Sequence, residues 1–142
     1  MGRVLGIDVG ERRIGLAISD PSRTLARPLT TLNIRGPEEA IARVVEQIVR
    51  LSEEDEGLAE IVVGLPARLD GTPTEQTPKV AAFVAALRGR TSLPIAREDE
   101  RLTSWEAERR LAVRERDWRR RKAQLDAAAA AIILQDYLDR QA

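Results

Sequence analysis

Asp8, Glu100 and Asp126 are the side chains on which chemistry in this chain could rest. Asp8 interrupts an apolar strand between Ile7 and Val9, where a lone carboxylate is costly unless something compensates it. Its bland account is an aspartate that holds the Gly10 turn through its own hydrogen bonds. Asp99-Glu100-Arg101 ends a late strand, and alternation sends Glu100 to the face opposite Asp99 and Arg101. Only one of the two acids can point where Asp8 points. Glu100 is preferred because Asp99 and Arg101 can neutralise each other; Asp99 is the alternative, and a solvated strand end is the bland account. Asp126 shares the i, i+3, i+4 face of a helix with Ala129, Ala130, Ile133 and Tyr137. An acid on a packing face is anomalous, and a helix-dipole partner explains an exposed acid better than one aligned with an alanine seam.

The residue types that are missing narrow the chemistry further. With no histidine and no cysteine in 142 residues, the commonest general base, the serine triad, thiolate nucleophiles and cysteine-held zinc are excluded. Three carboxylates brought together would form a hard-cation site suited to Mg²⁺ or Mn²⁺. A pair of such ions about 4 Å apart can activate water and steady the leaving oxygen of a phosphodiester. Lys plus Arg equals Asp plus Glu, 23 of each, so any nucleic-acid footprint must be local. Arg101 to Lys122 holds nine basic residues against four acids, and Arg119, Arg120, Arg121 and Lys122 lie just before Asp126. This segment is the candidate for phosphate contact, with Trp118 available to stack on a base. A solvated helical face is the bland account.

The elements that must position these residues follow from periodicity. Arg3 to Val9 and Arg13 to Ser19 are short apolar runs joined by Gly10-Glu11-Arg12, a hairpin pattern. A third strand falls in Ala26 to Leu32. Gly36-Pro37-Glu38-Glu39 opens a helix whose stripe is Ile41, Val44, Val45, Ile48 and Leu51. The acidic stretch Glu53 to Glu56 reads as a solvated loop. Glu60 to Pro66 suits a strand buried on both faces; Val80, Phe83, Val84 and Leu87 mark a second helix. A last strand runs from Leu93 to about Glu100, Thr103-Ser104 caps a third helix, and an alanine-rich helix spans about Lys122 to Leu138. An antiparallel start followed by right-handed crossovers predicts an α/β fold, a mixed five-stranded sheet flanked by helices. One domain over residues 1–142 is expected from the length. No run approaches the roughly 20 apolar residues of a membrane span, and Asp8 breaks any signal-peptide core, so a cytoplasmic protein with no membrane partner is expected.

Taken in order, Gly6-Ile7-Asp8-Val9-Gly10 with Arg13 to Ala17 and Ser19-Asp20, Val63 to Pro66 with Asp70-Gly71, Asp99 to Thr103, and Lys122 with Asp126 and Ile132 to Gln135 closely resemble the YqgF family. The family is also called RuvX, the Holliday-junction-resolvase-like nucleases. The resemblance spans nearly the whole chain. It implies an RNase H-like fold, a bacterial cytoplasmic setting and nuclease activity in maturing the 5′ end of 16S ribosomal RNA from its precursor. By position, Asp8, Glu100 and Asp126 match the family's acidic triad, and Arg13, Arg101 and Lys122 its basic positions, read as phosphate contacts. The segment before Lys122 departs from many relatives in lacking glycine and carrying Trp118 with three consecutive arginines.

A metal-dependent nuclease acting on RNA is therefore the leading expectation. Resolution of branched DNA at a Holliday junction ranks lower, because it takes two active sites and hence a homodimer, for which the sequence shows no seam. A phosphotransferase of the actin and sugar-kinase type is suggested by Asp8, Gly10 and Gly15, but such enzymes clamp a nucleotide between two domains. A non-catalytic RNA-binding assembly factor is the third alternative.

Overall fold

The computed structural model describes residues 2–65, 72–99 and 118–142, with side chains of the last segment described from Leu125 onward. Strands β1 (Arg3–Val9), β2 (Arg13–Ser19) and β3 (Ala26–Asn33) are followed by α1 (Pro37–Glu53), β4 (Leu58–Leu65), α2 (Thr77–Arg88), β5 (Ile95–Asp99) and α3 (Trp118–Gln141). The sheet order is β3-β2-β1-β4-β5. β1 pairs antiparallel with β2, and β2 with β3; β1 with β4 and β4 with β5 are parallel. The mixed five-stranded sheet with an antiparallel first half is thus present as expected. The predicted helix after Thr103-Ser104 lies outside the described residues.

Side-chain alternation divides the sheet into two unlike layers. Leu5, Ile7, Ile14, Leu16, Ile18, Ile61 and Val63 point to the face covered by α1 and α2. α1 contributes Ala40, Ile41, Val44, Ile48 and Leu51, a stripe of helical period, and α2 contributes Val80, Phe83, Val84 and Leu87. Each Leu, Ile, Val or Phe buried there contributes about 1.5–3 kcal/mol, so this layer is the main core. The other face carries smaller residues. Val4, Ala17 and Val62 meet Ala130, Ile133, Leu134 and Leu138 of α3.

The thin layer is what lets α3 approach the sheet closely. A methyl group at Gly6 would stand 2.8 Å from Leu134 Cβ, and one at Gly15 only 1.9 Å from the Asp126 carbonyl oxygen. Glycine inside a strand loses packing and entropy, and close approach of another backbone is the reason to keep it there. The far end of α3 is fastened by Gln135, whose Oε1 accepts from Ala26 N–H at 2.9 Å while its Nε2 donates to Thr24 O at 2.9 Å.

Two expectations change. The stretch Glu53 to Glu56 is not merely a solvated loop: the buried Arg3 pairs with Glu54 at 2.7 Å and approaches Glu56 at 3.9 Å. Its guanidinium also donates to the carbonyls of Leu51 and Gly57, closing the end of α1 onto β1. The last helix begins at Trp118 rather than near Lys122, which places Asp126 more than two turns inside it. A helix-dipole role for Asp126 is thereby removed, since that effect fades within the first turn.

Candidate active site

Asp8 is the penultimate residue of β1, half-buried, and its cross-strand partner is Gly15. In alternation with Val4 and Gly6 it belongs to the α3 side of the sheet. The Asp126 carbonyl rests on Gly15, so the strand residue beneath Asp126 is the one directly beside Asp8. Cross-strand neighbours have Cα atoms about 4.5–5.5 Å apart. Two of the three predicted carboxylates therefore hang from adjacent points at one end of one sheet face. Glu100 lies outside the described residues, and among the described residues no three acids are grouped so that they could hold a metal ion.

The choice between Asp99 and Glu100 is nevertheless informed by β5. Asp99 pairs with Leu65, which packs on the α1 and α2 side, so it occupies the face opposite Asp8. Its neighbour Glu98 faces α3 instead, only 4% exposed, with Oε1 2.9 Å from Arg140 Nη1. Burial raises the Glu98 carboxyl above its ordinary range; Arg140 opposes that shift, and Asp136 and Asp99 add to it. Nothing in the alternation pattern distinguished Glu98 from a solvated strand acid, because it is covered by α3, whose Arg140 lies more than forty residues later.

Arg13, which the family resemblance implied as a phosphate contact, lies against Asp126: its Nε is 3.1 Å from Oδ2, and both side chains are a little under one-third exposed. The contact is an ion pair without hydrogen-bond alignment. Beside it opens a cavity of about 400 Å³ lined by Val9, Gly10, Glu11, Arg12, Gln76 and the same pair. Glu11 ties the β1–β2 turn to the start of α2, accepting from Gln76 Nε2 at 3.0 Å and from Lys79 Nζ at 2.9 Å. Those two donors, Lys79 first, hold its carboxyl below the usual range. Arg12, Gln76 and Lys79 were not singled out from sequence. Arg12 could have been, as the second cation of the hairpin turn; the α2 residues join the site only through the fold.

Arg101 lies outside the described residues. Arg119, Arg120, Arg121 and Lys122 form the first turns of α3, running directly into Asp126; their side chains are not described. The cluster the structure does bring together is thus Asp8, Asp126 and Arg13 around Gly15, with Arg12 alongside. Such a pocket offers oxygen donors, guanidinium groups and an open approach, the parts needed to hold a phosphodiester next to a hard cation.

The chain is 48% identical over 136 residues to a Chloroflexus aurantiacus protein named "Putative pre-16S rRNA nuclease", covering 96% of this chain and 86% of that one. It is 44% identical over 140 residues to a Roseiflexus protein of the same name, covering 99% and 96%. Among solved structures, RuvC of T. thermophilus in complex with a Holliday junction substrate superposes with a TM-score of 0.53 at 16% identity, covering 99% of this chain and 96% of that one. At that identity the likeness speaks for the fold alone, which is RNase H-like. The family profile of RuvX, described as Holliday junction resolvase, matches residues 2–140. With relatives this similar along nearly its whole length, the chain belongs to the RuvX family.

Proposed function

We propose that the protein is a divalent-cation-dependent nuclease that acts on RNA in the cytoplasm and trims precursor 16S ribosomal RNA at its 5′ end. The observation that carries this reading is the seating of Asp126 on Gly15, beside Asp8 and at the edge of an arginine-lined cavity. The relatives' names supply the substrate class.

The residues fit a hard cation. Their donors are carboxylate oxygens, the chain has neither histidine nor cysteine, and oxygen-only donor sets suit Mg²⁺ or Mn²⁺. Asp8 and Asp126 would hold the ion, with Glu100, next after β5, as the third ligand by its family position. When bound, such ions lower the pKa of the attacking water and stabilise the leaving oxygen. The chain's own contribution is placement. Arg12 and Arg13 orient the phosphate, the Glu11 tie fixes the wall of the cavity, and the basic start of α3 with Arg101 tracks the flanking backbone. One site per chain suffices to trim a single strand, so the reading requires no homodimer.

Purified protein with Mn²⁺ or Mg²⁺ is expected to shorten a precursor 16S fragment, and Asp8→Asn or Asp126→Asn to slow this by about 10²-fold or more. Equal cutting by the Asp126→Asn protein would remove the mechanism. Preference for a four-way DNA junction over the RNA, cut symmetrically, would replace the substrate and call for paired sites.

A further inference from the structure

Arg13 and Asp126 cannot both perform the roles assigned to them while they remain in contact. Resting on the cation reading above, we propose that Arg13 holds the place of a cation at Asp126 and gives it up when a substrate phosphate arrives, so that cation loading and nucleic-acid binding reinforce each other.

The geometry sets up the competition. Asp126 Oδ2 lies 3.1 Å from Arg13 Nε, whereas a Mg²⁺ ion takes its oxygen ligands at about 2.1 Å. A guanidinium against that oxygen obstructs the ion sterically and repels it. The two side chains are partly exposed, the Asp126 Oδ2 at their contact is buried, and the contact lacks hydrogen-bond alignment, so charge attraction holds the pair rather than a directed bond. Arg13 also has somewhere to go, because it lines the same cavity as Arg12 and Gln76. A phosphate there offers the planar, bidentate acceptor that guanidinium prefers.

Arg12 supplies the contrast. It lines the same cavity, and among the described residues its guanidinium forms no ion pair with a carboxylate. It therefore attracts phosphate without an ion pair to Asp126, whereas Arg13 couples the phosphate to that carboxylate. By linkage, whatever factor the phosphate adds to cation affinity, the cation adds to phosphate affinity. For a partly exposed pair that factor is about two- to fivefold.

The test is calorimetric titration of Mn²⁺ into the full chain, alone and with a nuclease-resistant, 2′-O-methyl phosphorothioate RNA decamer, after subtraction of Mn²⁺ binding to the decamer itself. Arg13→Ala is expected to bind Mn²⁺ about two- to fivefold more tightly than the parent. The parent should gain the same factor when the decamer is present, and Arg13→Ala should gain nothing further. Arg12→Ala removes an equal charge from the same cavity and should change Mn²⁺ affinity less than Arg13→Ala. Unchanged affinity in Arg13→Ala, or an equal gain in Arg12→Ala, overturns the handover while leaving the cation site standing. Mn²⁺ binding that ignores Asp126→Asn overturns the cation site and the handover together. Arg13→Gln, which keeps length and polarity, repeats the measurement should circular dichroism show the alanine variant unfolded.

Discussion

Gly15→Ala tests the placement of the site with a single methyl group. The added carbon would stand 1.9 Å from the Asp126 carbonyl oxygen, 2.3 Å from its carbonyl carbon and 2.9 Å from Ala127 N, where ordinary contact begins near 3.4 Å. All three atoms are backbone, so no side chain can rotate out of the way, and α3 must lift by about 1.5 Å at this point. Overpacking of this kind costs about 1–3 kcal/mol, and the severity of the clash argues for the upper end. In a chain of this length that is a fall in Tm of about 5–10 °C. Asp126 rides on the displaced turn, and a misplacement of about 1 Å at a reacting centre can cost about 10²-fold in rate. Thermal melts and RNA-cleavage rates would be measured side by side with Gly89→Ala, whose new methyl would meet only Ala86 O at 3.5 Å and should be tolerated. A Gly15→Ala protein with parental Tm and parental cleavage would refute the seating of α3; one that melts early yet cleaves fully would refute the dependence of cleavage on it.

Two pH experiments probe the opposite end of α3 and the loop beneath it. Tyr137 is the chain's one tyrosine, and burial, then its hydrogen bond to Glu60 Oε2 at 2.5 Å, push its pKa up to about 12. Ultraviolet titration should find that raised midpoint, and Glu60→Gln should lower it part of the way; a midpoint at 10 in the folded protein would contradict the packing. Because the folded value is the higher one, the associated stability is intact below pH 10 and is lost as pH rises towards 12. Asp20 runs the other way: Ser22, then the Leu25 and Thr24 amides, hold its carboxyl below 3.8. The β2–β3 loop should keep its structure down to pH 3.8 and loosen only as pH falls through the lower folded value, which amide shifts of Thr24 and Leu25 would report. Titration of those amides at or above 3.8 would argue against the cap.

The strands and helices were legible because the strands are short apolar runs bounded by turn residues, while α1 and α2 carry apolar stripes of helical period. Asp8 and Asp126 were legible for a related reason, since each breaks the apolar pattern of the element that holds it. What one-dimensional pattern could not reveal is proximity. Gly15 reads as an ordinary strand glycine until a helix more than a hundred residues later is laid on it. Glu98 reads as a surface acid until Arg140 and α3 cover it. Arg13 reads as a cation awaiting phosphate, and only the fold places Asp126 against it. The acids at Glu54 and Glu56 likewise become anchors only because Arg3, some fifty residues earlier, is buried beneath them.

β1 occupies the centre of the sheet, while the helix that covers it follows more than a hundred residues later. On a translating ribosome Asp8 therefore emerges more than a hundred residues ahead of Asp126, at elongation rates of about 5–20 residues per second. Until α3 has left the exit tunnel and settled on Gly6 and Gly15, the nascent polypeptide has only half of its acidic pair in place. On the function proposed above, hydrolysis of any transcript near the tunnel mouth would wait until that helix has docked.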